Sequence, residues 1–188
     1  MKKTINAILC ILAVAAFSCK PIERNTEDLE NLVKERGTLK IAASHYYGDA
    51  YSNGNEVFTY QFLSEGMSIG YDQDQAETNY YGSGYILGFD LIAKASAETI
   101  PGPAAGTYTI SLADLHDSLT IENAYCIIVN TNASASTAKK IDLVDGSIVL
   151  NKSADSTMNF TFEAETILGT ELEASYQGKI FVGDPLYL

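Results

Sequence analysis

Few side chains here can do acid–base, nucleophilic or metal chemistry, and they are scattered. The 188 residues include two histidines, three cysteines and no tryptophan. His45 precedes Tyr46-Tyr47, and His116 sits in Asp114-Leu115-His116-Asp117, with Ser111 and Ser118 close by in sequence. A serine-type triad needs Ser, His and Asp gathered in space, and no nucleophile-elbow pattern accompanies these residues. His116 therefore reads as a solvated turn residue. Zinc takes about three or four ligands, and two separated histidines with one cysteine in an apolar run supply too few. Asp72, Asp74 and Glu77 put three carboxylates within six residues, which suits a hard cation such as calcium. The segment departs from an EF-hand loop, because Ala76 stands at the third ligand position and Glu77 where glycine is needed. It reads first as an acidic solvated loop and only second as a calcium site. No cofactor is expected.

Tyrosine is the stronger bias. Eight of the twelve tyrosines fall between Tyr46 and Tyr85. Tyr60, Tyr71 and Tyr85 lie in alternating apolar segments and read as strand packing, since tyrosine is a good strand former. Tyr47 and Tyr51 precede Asn53-Gly54, and Tyr80 and Tyr81 lie in a Gly-rich stretch, 79–84, that reads as a loop. Exposed loop tyrosines offer a flat apolar face with a polar tip, which suits stacking on a sugar or contact with a protein. Tyr47, Tyr51, Tyr80 and Tyr81 are thus the candidate ligand-binding residues.

The N terminus carries an address. Lys2 and Lys3 form a positive start, and residues 7–17 form an apolar run too short to span a bilayer. Small residues, Ala15, Ala16 and Ser18, lead to Cys19, with Phe17 among them. Phe17-Ser18-Cys19 resembles the looser lipobox of Bacteroidetes lipoproteins. That resemblance implies cleavage before Cys19, acylation of its sulfur, and a protein moored to a membrane it does not cross. Several acyl chains would hold it firmly, at about 0.8 kcal/mol for each buried CH₂. The expected divisions are a signal peptide over 1–18, a lipidated tether with a short helix over 19–37, and a single domain over 38–188.

Cleavage would remove Lys2 and Lys3 and take the net charge from −12 to −14. Such a surface repels nucleic acid and anionic headgroups. Only Cys19 and Cys126 would remain, one of them lipidated, so no intrachain disulfide is available and the core must hold the fold. Cys126, in Ala124-Tyr125-Cys126-Ile127-Ile128-Val129, reads as a small buried hydrophobe.

The elements that must position these residues are strands. Asn25 or Thr26 caps a brief helix that Gly37 ends. From residue 38 the apolar period becomes two. Asn53-Gly54 signals a hairpin with a type I′ turn. In 56–63, Phe58, Tyr60 and Phe62 share one face; in 85–94, both faces carry apolar residues, as if both were covered. Asp145-Gly146 reads as a second hairpin between 140–144 and 147–151, and 157–165 and 171–182 also alternate. About ten strands with turn signals between them predict an all-β domain. The preferred form is an antiparallel two-sheet sandwich, with a lipocalin-like barrel as the alternative.

Lipobox, tether, acidic all-β domain and tyrosine-rich first half together resemble the small outer-membrane lipoproteins of Bacteroidetes. The resemblance is specific over residues 1–19; beyond that it rests on strand motifs such as Gly106-Thr107-Tyr108-Thr109-Ile110 and Ala174-Ser175-Tyr176-Gln177-Gly178-Lys179-Ile180. It implies an outer-membrane, lipid-anchored position, periplasmic or surface-exposed, and carries over no catalytic residue. Asp117-Ser118-Leu119 and Asp155-Ser156-Thr157 resemble the O-glycan attachment sites of exported proteins in that phylum, which would be decoration. The expected function is a non-catalytic binding module for a glycan or protein. A structural or pilus-type subunit that associates through a sheet edge comes second, and a hydrolase using a carboxylate pair third.

Overall fold

A computed structural model of the chain describes residues 37–72, 77–94, 102–113, 115–130, 137–153 and 157–183, together with Asn31. Cys19, the signal segment and the tether lie outside the described residues. So does the expected short helix, apart from Asn31, which is helical. The domain is all-β, and its strands are β1 (Leu39–Gly48), β2 (Asn55–Ser64), β3 (Met67–Asp72), β4 (Glu77–Gly82), β5 (Gly84–Lys94), β6 (Gly106–Ile110), β7 (Thr120–Asn130), β8 (Thr137–Lys152), β9 (Met158–Thr166), β10 (Glu171–Gly178) and β11 (Phe181–Gly183).

Nine strands form one sheet in the order β10-β9-β8-β6-β7-β5-β2-β1-β11. Its two ends meet. Thr38 bridges Ser175 in parallel, and the Ser175 N–H donates to the Gly37 carbonyl at 2.9 Å. Two residues past β10, β11 runs parallel to β1, with Ala43 opposite Phe181. The sheet is therefore rolled into a nearly closed barrel instead of being divided into two stacked layers. Closure of this kind leaves few unpaired edge groups.

Pleat alternation decides what goes inside. Phe58, Tyr60 and Phe62 of β2, Tyr85, Leu87, Phe89 and Leu91 of β5, Phe160 and Phe162 of β9, and Leu172, Ala174 and Tyr176 of β10 are all buried in one core. Phe62 is its hub, with ring centroids at 5.0 Å from Phe160, 5.2 Å from Tyr176, 5.4 Å from Phe162 and 5.8 Å from Phe89. Cys126 is fully buried there and free; loss of water around it pushes its thiol up to about 12.

Three expectations change. Asp145-Gly146 is not a hairpin: β8 runs through it as one strand, with a register shift against β9 between Leu143 and Asp145. Gly146 has φ +127°, and a Cβ there would stand 2.2 Å from the Glu163 carbonyl oxygen. An Asp-Gly pair suits a bulge as well as a turn, because both need a residue at positive φ. The bend lets the first part of β8 pair with β7 and the second with β6. Asn53-Gly54 does close a hairpin, but through residues 49–54: the Asp49 carboxylate accepts the Asn53 and Gly54 N–H groups at 2.9 and 3.0 Å. Finally, residues 79–82 belong to β4, so Tyr80 and Tyr81 stand on a strand and not in a loop.

The β3–β4 hairpin forms its own two-stranded sheet and lies on the outside of the barrel. Met67, Ile69 and Tyr80 pack there on Leu63 of β2, Ile86 of β5, and Ile127 and Val129 of β7. This explains why β5 is apolar on both faces.

Candidate binding surface

The four candidate tyrosines separate into two pairs. Tyr47 and Tyr51 stand where β1 gives way to the 49–54 turn and are 51% and 42% exposed. Tyr80 and Tyr81 stand on the outer hairpin; Tyr81 is 54% exposed, with its ring against Gly70, while Tyr80 is half-buried. Burial raises the Tyr80 phenol above its ordinary value, and its hydroxyl donates to Gln61 Oε1.

Register shows what lies between the pairs. On the outer face of β1, β2, β5 and β7, His45 stands opposite Thr59, Thr59 opposite Asp90, and Asp90 opposite Glu122. One row over, Gln61 stands opposite Gly88, Gly88 opposite Tyr125, and Tyr125 opposite Asp142 of β8. The outer hairpin covers the sheet on one side of these rows. On the other, residues 115–119 fold over Glu122, which is only 3% exposed. The result is a polar strip two residues wide between two standing elements, closed over Glu122 on β7.

The polar groups of the strip hold one another. Thr59 Oγ1 donates to Asp90 Oδ1 at 2.5 Å, and Asn123 Nδ2 donates to Asp90 Oδ2 at 2.7 Å. Gln61 Nε2 donates to the Tyr125 hydroxyl at 3.3 Å while its Oε1 accepts from Tyr80. Tyr125 lies flat across Gly88, and the Lys140 ammonium sits 4.9 Å from its ring centroid and 3.2 Å from Asp142. Asn123, at φ +50°, marks a bulge in β7. At such a bulge two successive side chains escape strict alternation, and both Glu122 and Asn123 reach the outer face. His45 Nδ1 is buried without a hydrogen-bond partner among the described residues.

His116 is no freely solvated turn residue. Its ring stacks on Tyr51, with centroids 3.4 Å apart and planes within 2°, and is 24% exposed. Its Nδ1 lies 2.7 Å from Glu122 Oε2, and its backbone N–H donates to Oε1 at 2.9 Å. Its carbonyl accepts from the Asn53 and Asn55 amides, both at 2.9 Å. Four contacts thus fix a residue at φ +51°, and through it Tyr51. Leu112, Leu115 and Leu119 are exposed around the same segment. The Ser111 hydroxyl donates to the Ala113 carbonyl at 3.0 Å, and Asp114 lies outside the described residues.

Of the acidic segment, Asp72 ends β3 and Glu77 begins β4. Asp72 and Glu77 are register partners there, and Asp74 lies outside the described residues. Among the described residues, no three His, Cys, Asp or Glu side chains are placed to hold a metal. A second acidic concentration lines a shallow groove of about 300 Å³ on the far side of the barrel, formed by Asp145, Glu163, Glu165, Glu171 and Glu173 among others.

The four tyrosines named from the sequence stand beside this strip, and its floor, Thr59, Gln61, Gly88, Asp90, Asn123 and Tyr125, is not among the residues named. The available signal was Gly88 and Asp90 inside an otherwise apolar strand, since an interior glycine often marks a close approach. Among protein-family models, curated proteins and solved structures, nothing matches this chain. No described helix is long and apolar enough to cross a membrane, which says nothing of strands.

Proposed function

We propose that the mature chain is a lipid-anchored binding module of the bacterial outer membrane that holds a glycan or protein without transforming it. The observation that carries this reading is the strip of interlocked polar groups and flat tyrosine rings between the outer hairpin and residues 115–119. Groups locked by their neighbours lose little freedom when a ligand arrives, so their contacts translate into affinity. The tether would join at Thr38, beside Ser175, and β1 runs away from that point, so Tyr47, Tyr51 and His116 stand at the far end.

The competing readings gain less. Pilus-type association needs a long free sheet edge; the ends of the main sheet meet at Thr38 and Ser175, and the separate outer sheet offers only the six-residue edges of β3 and β4. A hydrolase needs a carboxylate pair open to substrate. Asp90 and Glu122 are cross-strand neighbours, but Glu122 is only 3% exposed and is held by the His116 backbone N–H and ring, so the two do not form an open pair.

The test uses the full chain in detergent micelles, immobilised and offered a glycan panel and outer-membrane proteins. Retention of a ligand that is recovered chemically unchanged, and its loss with Asp90→Ala or Tyr125→Ala, is expected. Retention indifferent to both substitutions, or a processed ligand, would overturn the reading. Mass spectrometry of the mature N terminus checks the anchor, and an unmodified Cys19 thiol would refute it.

A further inference from the structure

Resting on the binding reading above, we infer that the ligand of this strip is a neutral, unbranched oligosaccharide lying across the strands.

Shape is the first argument. Two residue rows make a floor about 7 Å wide, and the three strands that carry both rows, β2, β5 and β7, make it about 10 Å long, with one row running on to β1 and the other to β8. Walls stand on both long sides: strands β3 and β4, and residues 115–119 with the Tyr51–His116 stack. A single chain fits lengthwise; a branched one meets the walls.

Hydrogen-bonding chemistry is the second. A carboxylate has about four lone-pair positions, and Asp90 uses one on each oxygen for Thr59 and Asn123. The outward positions remain. Asn123, itself exposed, keeps its carbonyl oxygen and a second N–H. Acceptors and donors side by side on one fixed plane match vicinal hydroxyls, each of which both gives and takes a hydrogen bond. Tyr125, flat over Gly88, supplies the apolar floor on which the C–H face of a ring rests. A peptide has less to gain. It binds sheets by adding to an edge, and the backbone groups of β2, β5 and β7 are already paired on both sides.

Charge is the third. A net charge of −12, with Asp90 and Asp142 on the strip itself, repels acidic polysaccharides and nucleic acid. A neutral chain does not meet that obstacle.

The test is isothermal titration of the full chain, in a zwitterionic detergent, with four ladders of neutral oligosaccharides: malto-, cello-, xylo- and manno-oligosaccharides. At least one ladder should bind, with affinity rising with length and levelling once the chain outgrows the strip. Asp90→Ala and Asn123→Ala should each weaken it about ten-fold or more, because a fixed acceptor or donor is lost. Gly88→Ala should do the same with the fold intact, since the new Cβ meets only the movable end of the Tyr125 ring. Glu171→Gln, in the acidic groove on the other side of the barrel, should change nothing. Binding by none of the ladders, or binding untouched by Asp90→Ala and Asn123→Ala, overturns the inference. A photo-crosslinker at Asn123 separates the two levels. A discrete protein adduct in intact cells, with no sugar bound, leaves the binding reading standing and removes the saccharide; neither adduct nor sugar removes both.

Discussion

The phenol ring of Tyr125 occupies the space a side chain at Gly88 would need: a Cβ built there would come within 2.3 Å of Tyr125 Cζ and 2.5 Å of its hydroxyl oxygen. The two are cross-strand partners, so one small and one large residue share a single site on the outer face. Glycine inside a strand ordinarily costs about 0.5–1 kcal/mol relative to alanine. Here the missing methyl lets the ring lie down and reach Gln61.

A double-mutant cycle isolates that relationship. Gly88→Ala alone should destabilise the fold by about 1 kcal/mol, as the ring lifts and loses its hydrogen bond. In a Tyr125→Ala background, the same change should stabilise by about 0.5 kcal/mol, the ordinary strand effect. Urea unfolding of the four proteins measures both. Equal effects in the two backgrounds would mean the ring does not depend on the glycine.

Periodicity made the barrel's inner face legible: Phe58, Tyr60 and Phe62, or Phe160 and Phe162, follow from alternation alone. What it could not give was the path of the strands through their irregularities. Asp145-Gly146 satisfies the local requirement for positive φ, which a turn and a bulge share, so only the partners β6 and β7 decide between them. The bulge at Asn123 likewise breaks the alternation inside β7 and brings Asn123 to Asp90. The strip is assembled by register between residues up to 37 positions apart, and composition carries no record of register.

The acidic groove on the other side predicts a stability that responds to salt. Glu163 stands opposite Glu173 and Glu165 opposite Glu171 on exposed, directly paired positions of β9 and β10. Like charges directly opposite one another destabilise a sheet, and dissolved salt screens them. Glu173→Lys should therefore raise the urea midpoint at low ionic strength, by forming an opposite-charge pair with Glu163. The gain should shrink in about 1 M salt, where the Debye length falls to about 3 Å. A midpoint that does not move at low salt would mean the two side chains splay apart and never sense each other.

At the alkaline end the core itself should give way. Tyr60 and Tyr85 are fully buried and burial raises both phenols; it pushes the Tyr108 phenol and the Cys126 thiol up to about 12. These groups are neutral when protonated, and the unfolded chain, with ordinary values of 9.0 for the thiol and 10.0 for the phenols, gives up its protons first. Stability from keeping them neutral is thus fully present below about pH 9 and is lost as pH climbs toward 12. Circular dichroism and phenolate absorbance, followed together through an alkaline titration, should show the buried phenolates appearing in one step with loss of the β signal. Cys126 should resist alkylation at pH 8 until urea unfolds the chain. Phenolates that accumulate gradually while the β signal persists, or a thiol that reacts in the native protein, would show that water reaches the centre of the barrel.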